Sequence, residues 1–408
     1  MRERIDQLTK LTAFTTARND QPKRFRGGVT IDEKSLAERW GNLSHEDSRR
    51  IIEKPADSLL CYQKNIENCI GVISMPVGIA GPLRINGANA SGEYLIPLAT
   101  TEATLVASYH RGCRVITAAG GCNTIVIHEG VSRAPGYIFQ SLEKAVQFVT
   151  WVKENQVELK SQAEATTHYG KLIDFSTAIE GNYAYLILDY DTADAAGQNM
   201  VTIATQAVCT YIAEHCPIEP EYAFLESNLS GDKKATGACF SHVRGKKTIA
   251  EVTIPNDILM RMLRTDADTM TAYIRISTTA AMLSGALGVT GHFSNALAAI
   301  FIACGQDAAC VAEASMGITR LEKTVTGDLR VSVSLPNLPV GTVGGGTSLP
   351  TQKACLDLLG LHGPGHSRTF AEVCAGLCLA GEISLIGALC ANEFSRAHQR
   401  YARTITKS

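Results

Sequence analysis

The stretch "KLIDFSTAIEGNYAYLILDYD", residues 171–191, decides the fold. It reads as two β-strands, 171–180 and 183–191, rich in the apolar and aromatic residues that strands favour. Upstream lie "GYIFQS" (136–141), a strand, and "LEKAVQFVTWVKENQVELKSQ" (142–162), a helix. Downstream come "NMVTIATQAVCTYIAEHC" (199–216), a helix, and "EYAFLES" (221–227), a last strand. The order β-α-β-β-α-β is that of a split βαβ, or ferredoxin-like, module. "SRAPG" (132–136) and "ESNLSGDKK" (226–234) bound it, so it reads as an insertion into a larger domain.

Outside residues 135–226 the texture changes. Residues 67–134 and 227–408 are apolar and Gly-rich. They give strand and turns in "GVISMPVGIAGPLRING" and a helix opening in "LATTEATLVASYHRGCRVI", with Thr100 or Thr101 as N-cap. Long Ala/Gly/Cys-rich helices are expected over 278–289, 294–315 and 370–398, with the strand "LRVSVSLP" and the turn "GTVGGGTSL" between them. Residues 1–66 are polar and read as a small helical segment, with Ser44 and Asp47 forming a capping box and Pro55 ending the helix. The fold class is therefore α+β: a large helix-rich domain carrying an inserted ferredoxin-like domain.

The chain has 408 residues, 45% hydrophobic and 19% charged, with a formal net charge of -2. That balance argues against a general nucleic-acid or anionic-membrane binder. The 13 cysteines are scattered, without a C-x-x-C pair or zinc spacing, and read as buried thiols in a reducing, cytoplasmic setting. No metal site is expected. The N-terminus has no apolar signal core, and the weakly charged stretch 276–306 contains His292, Asn295 and several glycines, so it reads as core helices.

Chemistry is suggested where charges sit among apolar or small residues. In "ESNLSGDKKATGACF" (226–240), Asp232, Lys233 and Lys234 read either as a solvated turn or as a lysine held in a desolvated pocket to stabilise an oxyanion. Glu102 lies in the expected first turn of a helix, where the dipole alone would favour it. Asp307, after "NALAAIFIACGQ", should be paired or functional, whereas His398 in "FSRAHQRYAR" reads by default as a surface histidine. "DAAGQN" (194–199) before a helix suggests an anion at a helix N-terminus, and it is no dinucleotide fingerprint of the G-x-G-x-x-G kind.

Taken in order, "ENCIGVISMPVGIAGPL", "TTEATLVAS", "SGDKK", "IACGQD", "GTVGGGT" and "AGEISLIGAL" resemble the catalytic portion of the 3-hydroxy-3-methylglutaryl-coenzyme A reductases over residues 67–400. The "GTVGGGT" and "IGVISMPVGIAGPL" forms point to that family's first class, without its membrane domain. The resemblance implies a catalytic set of Glu102, Lys233, Asp307 and His398. It implies Arg133, Lys234, Asn295 and Asn228 as ligands of the acyl substrate, and Ser108, Arg111 and His292 near coenzyme A. Asp194, Gly197 and Asn199 would hold a nicotinamide cofactor, making the inserted module the cofactor domain.

Reaction and assembly follow from the same likeness. The expected activity is two-step reduction of the acyl-coenzyme A thioester to mevalonate in a cytoplasmic homodimer with shared active sites. NADPH is the expected cofactor, with NADH as the alternative because Asp189 and Asp191 stand near the expected 2′-phosphate region. Several residues depart from the family pattern. Ala196 and Gln198 replace two methionines, Glu226 replaces a serine, and "ATGACF" replaces P-A-A-I-N-W. His110 replaces an asparagine, and Arg275 only approximates a substrate-binding lysine. These departures leave open the same chemistry on a different acyl group, or a non-catalytic acyl-coenzyme A binder.

Overall fold

The computed structural model describes residues 29–41 and 59–393. The chain divides into two compact units, Met1–Ser74 and Met75–Ser408. In the first, helix α1 (Glu33–Trp40) starts at Asp32, whose side chain accepts the Ser35 N–H while Ser35 reaches back to Asp32. Its buried face, Leu36, meets Ile31, Leu59 and Cys69. The expected helix around Ser44, Asp47 and Pro55 lies outside the described residues.

The second unit opens with the antiparallel hairpin β1 (Val77–Asn86) and β2 (Ser91–Ala99). Helix α2 (Leu105–Ala118) follows. Its start corrects the sequence reading: Thr104, at φ 74 and without a side-chain cap bond, is the N-cap, whereas Thr100 and Thr101 are not. Glu102 therefore precedes the helix and does not sit in its first turn. Thr100 instead turns the chain locally, its hydroxyl accepting the Glu102 N–H.

Strand β3 (Asn123–Arg133) leads to β4 (Gly136–Ile138), α3 (Leu142–Glu154), α4 (Gln156–Glu164), β5 (Lys171–Glu180), β6 (Tyr183–Asp191), α5 (Gln198–His215) and β7 (Tyr222–Phe224). The single helix expected over 142–162 is broken at Asn155, which ends α3 and begins α4. The strands lie in the order β7-β4-β6-β5, all antiparallel, as a ferredoxin-like path requires. Alternation along β6 puts Ala184, Leu186, Leu188 and Tyr190 into a core with Phe148, Val152, Val201 and Val208 of the covering helices.

Next come β8 (Gly245–Ile254), α6 (Ala267–Ser284), β9 (Gly288–Val289), α7 (Phe293–Ala303), β10 (Gly317–Lys323), β11 (Leu329–Leu338), α8 (Pro350–Leu359) and α9 (Ser367–Cys390). Among the described residues one sheet runs β7-β4-β6-β3-β8-β11-β10-β9, with β5 beside β6. β3 joins its two parts: residues 123–130 pair with β8, and Val131–Arg133 pair with β6.

Helix limits in the Ala/Gly/Cys-rich half differ from expectation. α6 begins well before 278 and stops at Ser284, and the helix expected over 294–315 ends at Ala303. Gly305 explains that end. It sits at φ +67, and a Cβ there would lie 2.3 Å from the Gly346 carbonyl oxygen. The chain then restarts in a short turn, Ala308–Cys310, capped by Asp307.

α9 is long and apolar enough to cross a membrane, yet 83% of its apolar window is buried inside the protein. It packs on α2, α7, β8 and β11. Two carboxylates on it are fully used internally. Glu372 accepts from Asn89, Ala90 and Thr124, and Glu382 accepts from Gly291, His292 and Thr319. Buried, hydrogen-bonded carboxylates suit a core helix.

Candidate active site

The loop 226–234 connects β7 to the site and is organised by its first residue. Glu226 accepts hydrogen bonds from the Ser227 and Asn228 N–H groups at 3.0 and 2.8 Å and from the Ser230 hydroxyl at 3.1 Å. It also pairs with Arg133 at 3.3 Å. This carboxylate, which stands where the resemblance expects a serine, is thus spent on folding the loop. Asn228 sits at φ 68 and is exposed.

Lys233 lies at φ 56, left-handed backbone that a side chain disfavours. Its Nζ is 2.8 Å from Asp307 Oδ2, the two side chains being 43% and 37% exposed. The Asp307 hydrogen bond holds the Lys233 ammonium above its ordinary value despite some burial. At Asp307, burial works to raise the carboxyl, but bonds from Lys233 and from the Ala309 N–H outweigh it and lower it. Both groups are therefore charged at neutral pH. Lys233 thus lies in an exposed turn, as the solvated-turn reading has it, yet its ammonium is held by Asp307, and Lys234 is exposed as well with its Nζ on the Asp232 carbonyl at 2.9 Å.

Beneath this pair lies a cluster that sequence reasoning missed. Arg244, 1% exposed, bonds Glu313 at 2.5 and 2.7 Å and lies 2.7 Å from Asp232. Burial pushes the Glu313 carboxyl up, opposed by Arg244. Arg133 is buried as well, 2.9 Å from Asp232. Its guanidinium is held by Asp232, Glu226 and the Gln198 carbonyl, so it does not stand open to a ligand.

Glu102 and Asn295 meet each other, Asn295 Nδ2 lying 3.4 Å from Glu102 Oε1. Ser108 and Arg111, both on α2, converge on Ser384 of α9 through bonds of 2.7–3.0 Å. His292 stacks on Tyr109 with ring centroids 5.0 Å apart, and its buried Nε2 has no hydrogen-bond partner among the described residues. Glu382 holds the backbone of that loop from below. His398 lies outside the described residues.

The "DAAGQN" loop leads into α5. Gly197 is its N-cap at φ +84, where a Cβ would stand 2.3 Å from Thr192 Cγ2, so only glycine fits. Exposed Asn199 occupies the first turn. The Asp194 side chain faces away from that helix start and caps α9, its oxygens accepting the Gly365 and Ser367 N–H groups at 2.7 and 3.1 Å. Burial works to raise its carboxyl, but those bonds outweigh it and hold the group low. Its carbonyl accepts the Thr342 N–H at 2.8 Å, joining the loop to "GTVGGGT". A helix N-terminus entered through an obligatory glycine fits a phosphate-bearing cofactor.

Burial pushes the Cys122 thiol up to about 12. Among the described residues no three His, Cys, Asp or Glu side chains group as a metal site.

Residues 32–403 match the family model of hydroxymethylglutaryl-coenzyme A reductase. The chain is 43% identical over 348 residues to the 3-hydroxy-3-methylglutaryl-coenzyme A reductase of Pyrococcus abyssi, covering 83% of this chain and 85% of that protein. It is 42% identical over 346 residues to the reductase of Methanothermobacter thermautotrophicus, covering 84% and 86%. In structure it is similar to the class II reductase of Streptococcus pneumoniae bound to NADPH in open conformations. That likeness has a TM-score of 0.65 at 19% identity, over 95% of this chain and 96% of that one.

Proposed function

The chain belongs to the hydroxymethylglutaryl-coenzyme A reductase family, and on that premise we propose how its own residues perform the reaction. The protein reduces 3-hydroxy-3-methylglutaryl-coenzyme A to mevalonate and coenzyme A, with NADPH as reductant. The observation that carries the assignment of roles is the Lys233–Asp307 pair.

NADPH supplies a hydride in each of two reductive steps. Each step builds negative charge on the carbonyl oxygen of the substrate, which the Lys233 ammonium stabilises. Asp307 keeps that ammonium charged and aimed. Glu102, bonded to Asn295, is the proton donor to the nascent alcohol, and Asn295 orients it. His398 protonates the departing thiolate.

Gly197 and Asn199 at the start of α5 would hold the cofactor phosphates, with residues 135–226 as the cofactor domain. Asp194 serves that loop indirectly, by fixing it to α9 and to "GTVGGGT". The α2–α9 seam around Ser108, Arg111 and His292 would take coenzyme A. Arg133 acts through Asp232 and Glu226, and Lys234 and Asn228 are the open polar groups for the acyl carboxylate.

The protein is a cytoplasmic homodimer in this reading. Exposed Ile276, Met282 and Leu283 on α6 support burial of that face against a second copy. NADPH oxidation with a panel of acyl-coenzyme A thioesters tests the reading. Mevalonate formation from the hydroxymethylglutaryl thioester is expected. Preference for another acyl group, or no turnover with any thioester, would overturn it.

A further inference from the structure

We propose that Gln198, Arg244 and Glu313 are positioning residues that hold Lys233 in register with the helix that receives the cofactor. The proposal rests on the reductase reading above. Arg244 is buried, and its guanidinium faces acceptors from three separate segments. Glu313 follows the Asp307 turn, Asp232 precedes Lys233, and Gln198 is the first residue of α5. A planar guanidinium with fixed donor directions sets these segments in one geometry, which a lysine could not do.

Lys233 needs such support. A left-handed backbone at a side-chain-bearing residue persists only where its surroundings impose it. Here the N-terminal side is anchored twice. Asp232 is gripped by Arg133 at 2.9 Å and by Arg244 at 2.7 Å. The Lys233 N–H itself donates to Glu313 Oε1 at 3.2 Å. The result is an ammonium delivered to Asp307 at 2.8 Å.

Gln198 extends this grip to the cofactor helix. Its side-chain Oε1 accepts from Arg244 at 2.5 Å, and its carbonyl accepts from Arg133 at 3.3 Å. Its Nε2 lies 3.8 Å from Cys310 Sγ, in the turn that Asp307 caps. The start of α5 is thus bonded to both arginines that hold Asp232. Displacement of one end displaces the other.

The test compares Gln198→Leu, Gln198→Glu and Arg244→Lys with the parent. Gln198→Leu should lower kcat about tenfold, the usual worth of a hydrogen bond to a charged group. Thioester and mevaldehyde reduction should fall together, because both need Lys233. NADPH affinity, read by nucleotide fluorescence, should stay within about threefold. Gln198→Glu, which still accepts from Arg244, should recover most of the loss.

The alkaline limb of kcat reads positioning directly. The charged or titratable groups facing Lys233 are Asp307, Asp232 and Cys310. Loosening the Asp307 contact lets Lys233 lose its proton earlier, so the limb should move to lower pH in Gln198→Leu and Arg244→Lys. The Lys233 resonance in reductively 13C-methylated protein reads the same shift without turnover. If the parent reduces no thioester the reductase reading falls, while this titration still judges the positioning. If Arg244→Lys does not fold, Gln198→Leu decides. An unmoved limb, a loss confined to NADPH affinity, or a loss tracking the melting temperature alone would overturn the proposal.

Discussion

Asp307→Asn separates catalysis from stability at one residue. The charges stand 2.8 Å apart. Coulomb's law gives about 1.5 kcal/mol for that separation in a water-like medium and about 6 kcal/mol at an effective dielectric near 20. Both side chains are more than a third exposed, so solvent screening brings the net stability worth to about 1 kcal/mol or less. The melting temperature should therefore move by only ~3 °C. Activity should fall ~100-fold or more, because Lys233 loses both its aim and its charge partner.

The pair should also leave stability flat across the working pH range. Lys233 is raised above 10.5, so its stabilisation is complete below the unfolded value and disappears only as pH climbs past the higher folded one. Asp307 is lowered below 3.8, so its share is present above the unfolded value and is lost as pH falls through the lower folded one. Between about pH 5 and 9, thermal melts of parent and variant should run parallel while kcat differs throughout. A melting point that drops with activity, or a stability gap that opens inside that window, would show that the pair is structural.

Three further substitutions follow. His398→Gln should slow thioester reduction about 10²–10⁴-fold and spare mevaldehyde reduction, which releases no thiolate; equal losses would remove the assigned role. Gly197→Ala meets Thr192 and keeps an unfavourable φ, so it should cost about 1–3 kcal/mol and raise the KM for NADPH more than that for the thioester. Asp194→Asn should cost about 1 kcal/mol at pH 7 through the weakened α9 cap. Asp194 is lowered below 3.8, so that difference should vanish only as pH falls through its folded value, checked by melts from pH 7 to 2.5.

Strands were legible where alternation was strong. β5 and β6 fall on the residues read from 171–191, because one face of each must reach a core. Helix ends were legible only where local chemistry sets them. Thr100 and Thr101 look like caps, yet β2 runs to Ala99 and the chain needs further residues to turn into α2. The end of α7 depends on Gly305 meeting Gly346, a contact no local pattern encodes. The same holds for the site. Lys233 and Asp307 were matched through family resemblance, since nothing in their spacing says they touch. Arg244 stands in "VRGKK", a basic run in which nothing local marks one charge as buried. Glu313 stands in "CVAEAS" with the same signal that singled out Asp307, a lone carboxylate among apolar residues, and could have been found by it.

The way β3 passes from one part of the sheet to the other bears on any attempt to excise residues 135–226. Along one side of β6, Val131–Arg133 of β3 and then Gly136–Ile138 of β4 supply its partners in succession. Cutting at 134/135 removes the first of these and leaves Leu188–Tyr190 with free N–H and C=O groups on that side. Such a ragged strand border is a template for pairing with a second molecule. A fragment beginning at 135 should therefore self-associate in solution, whereas one beginning at Gly130 keeps the border covered.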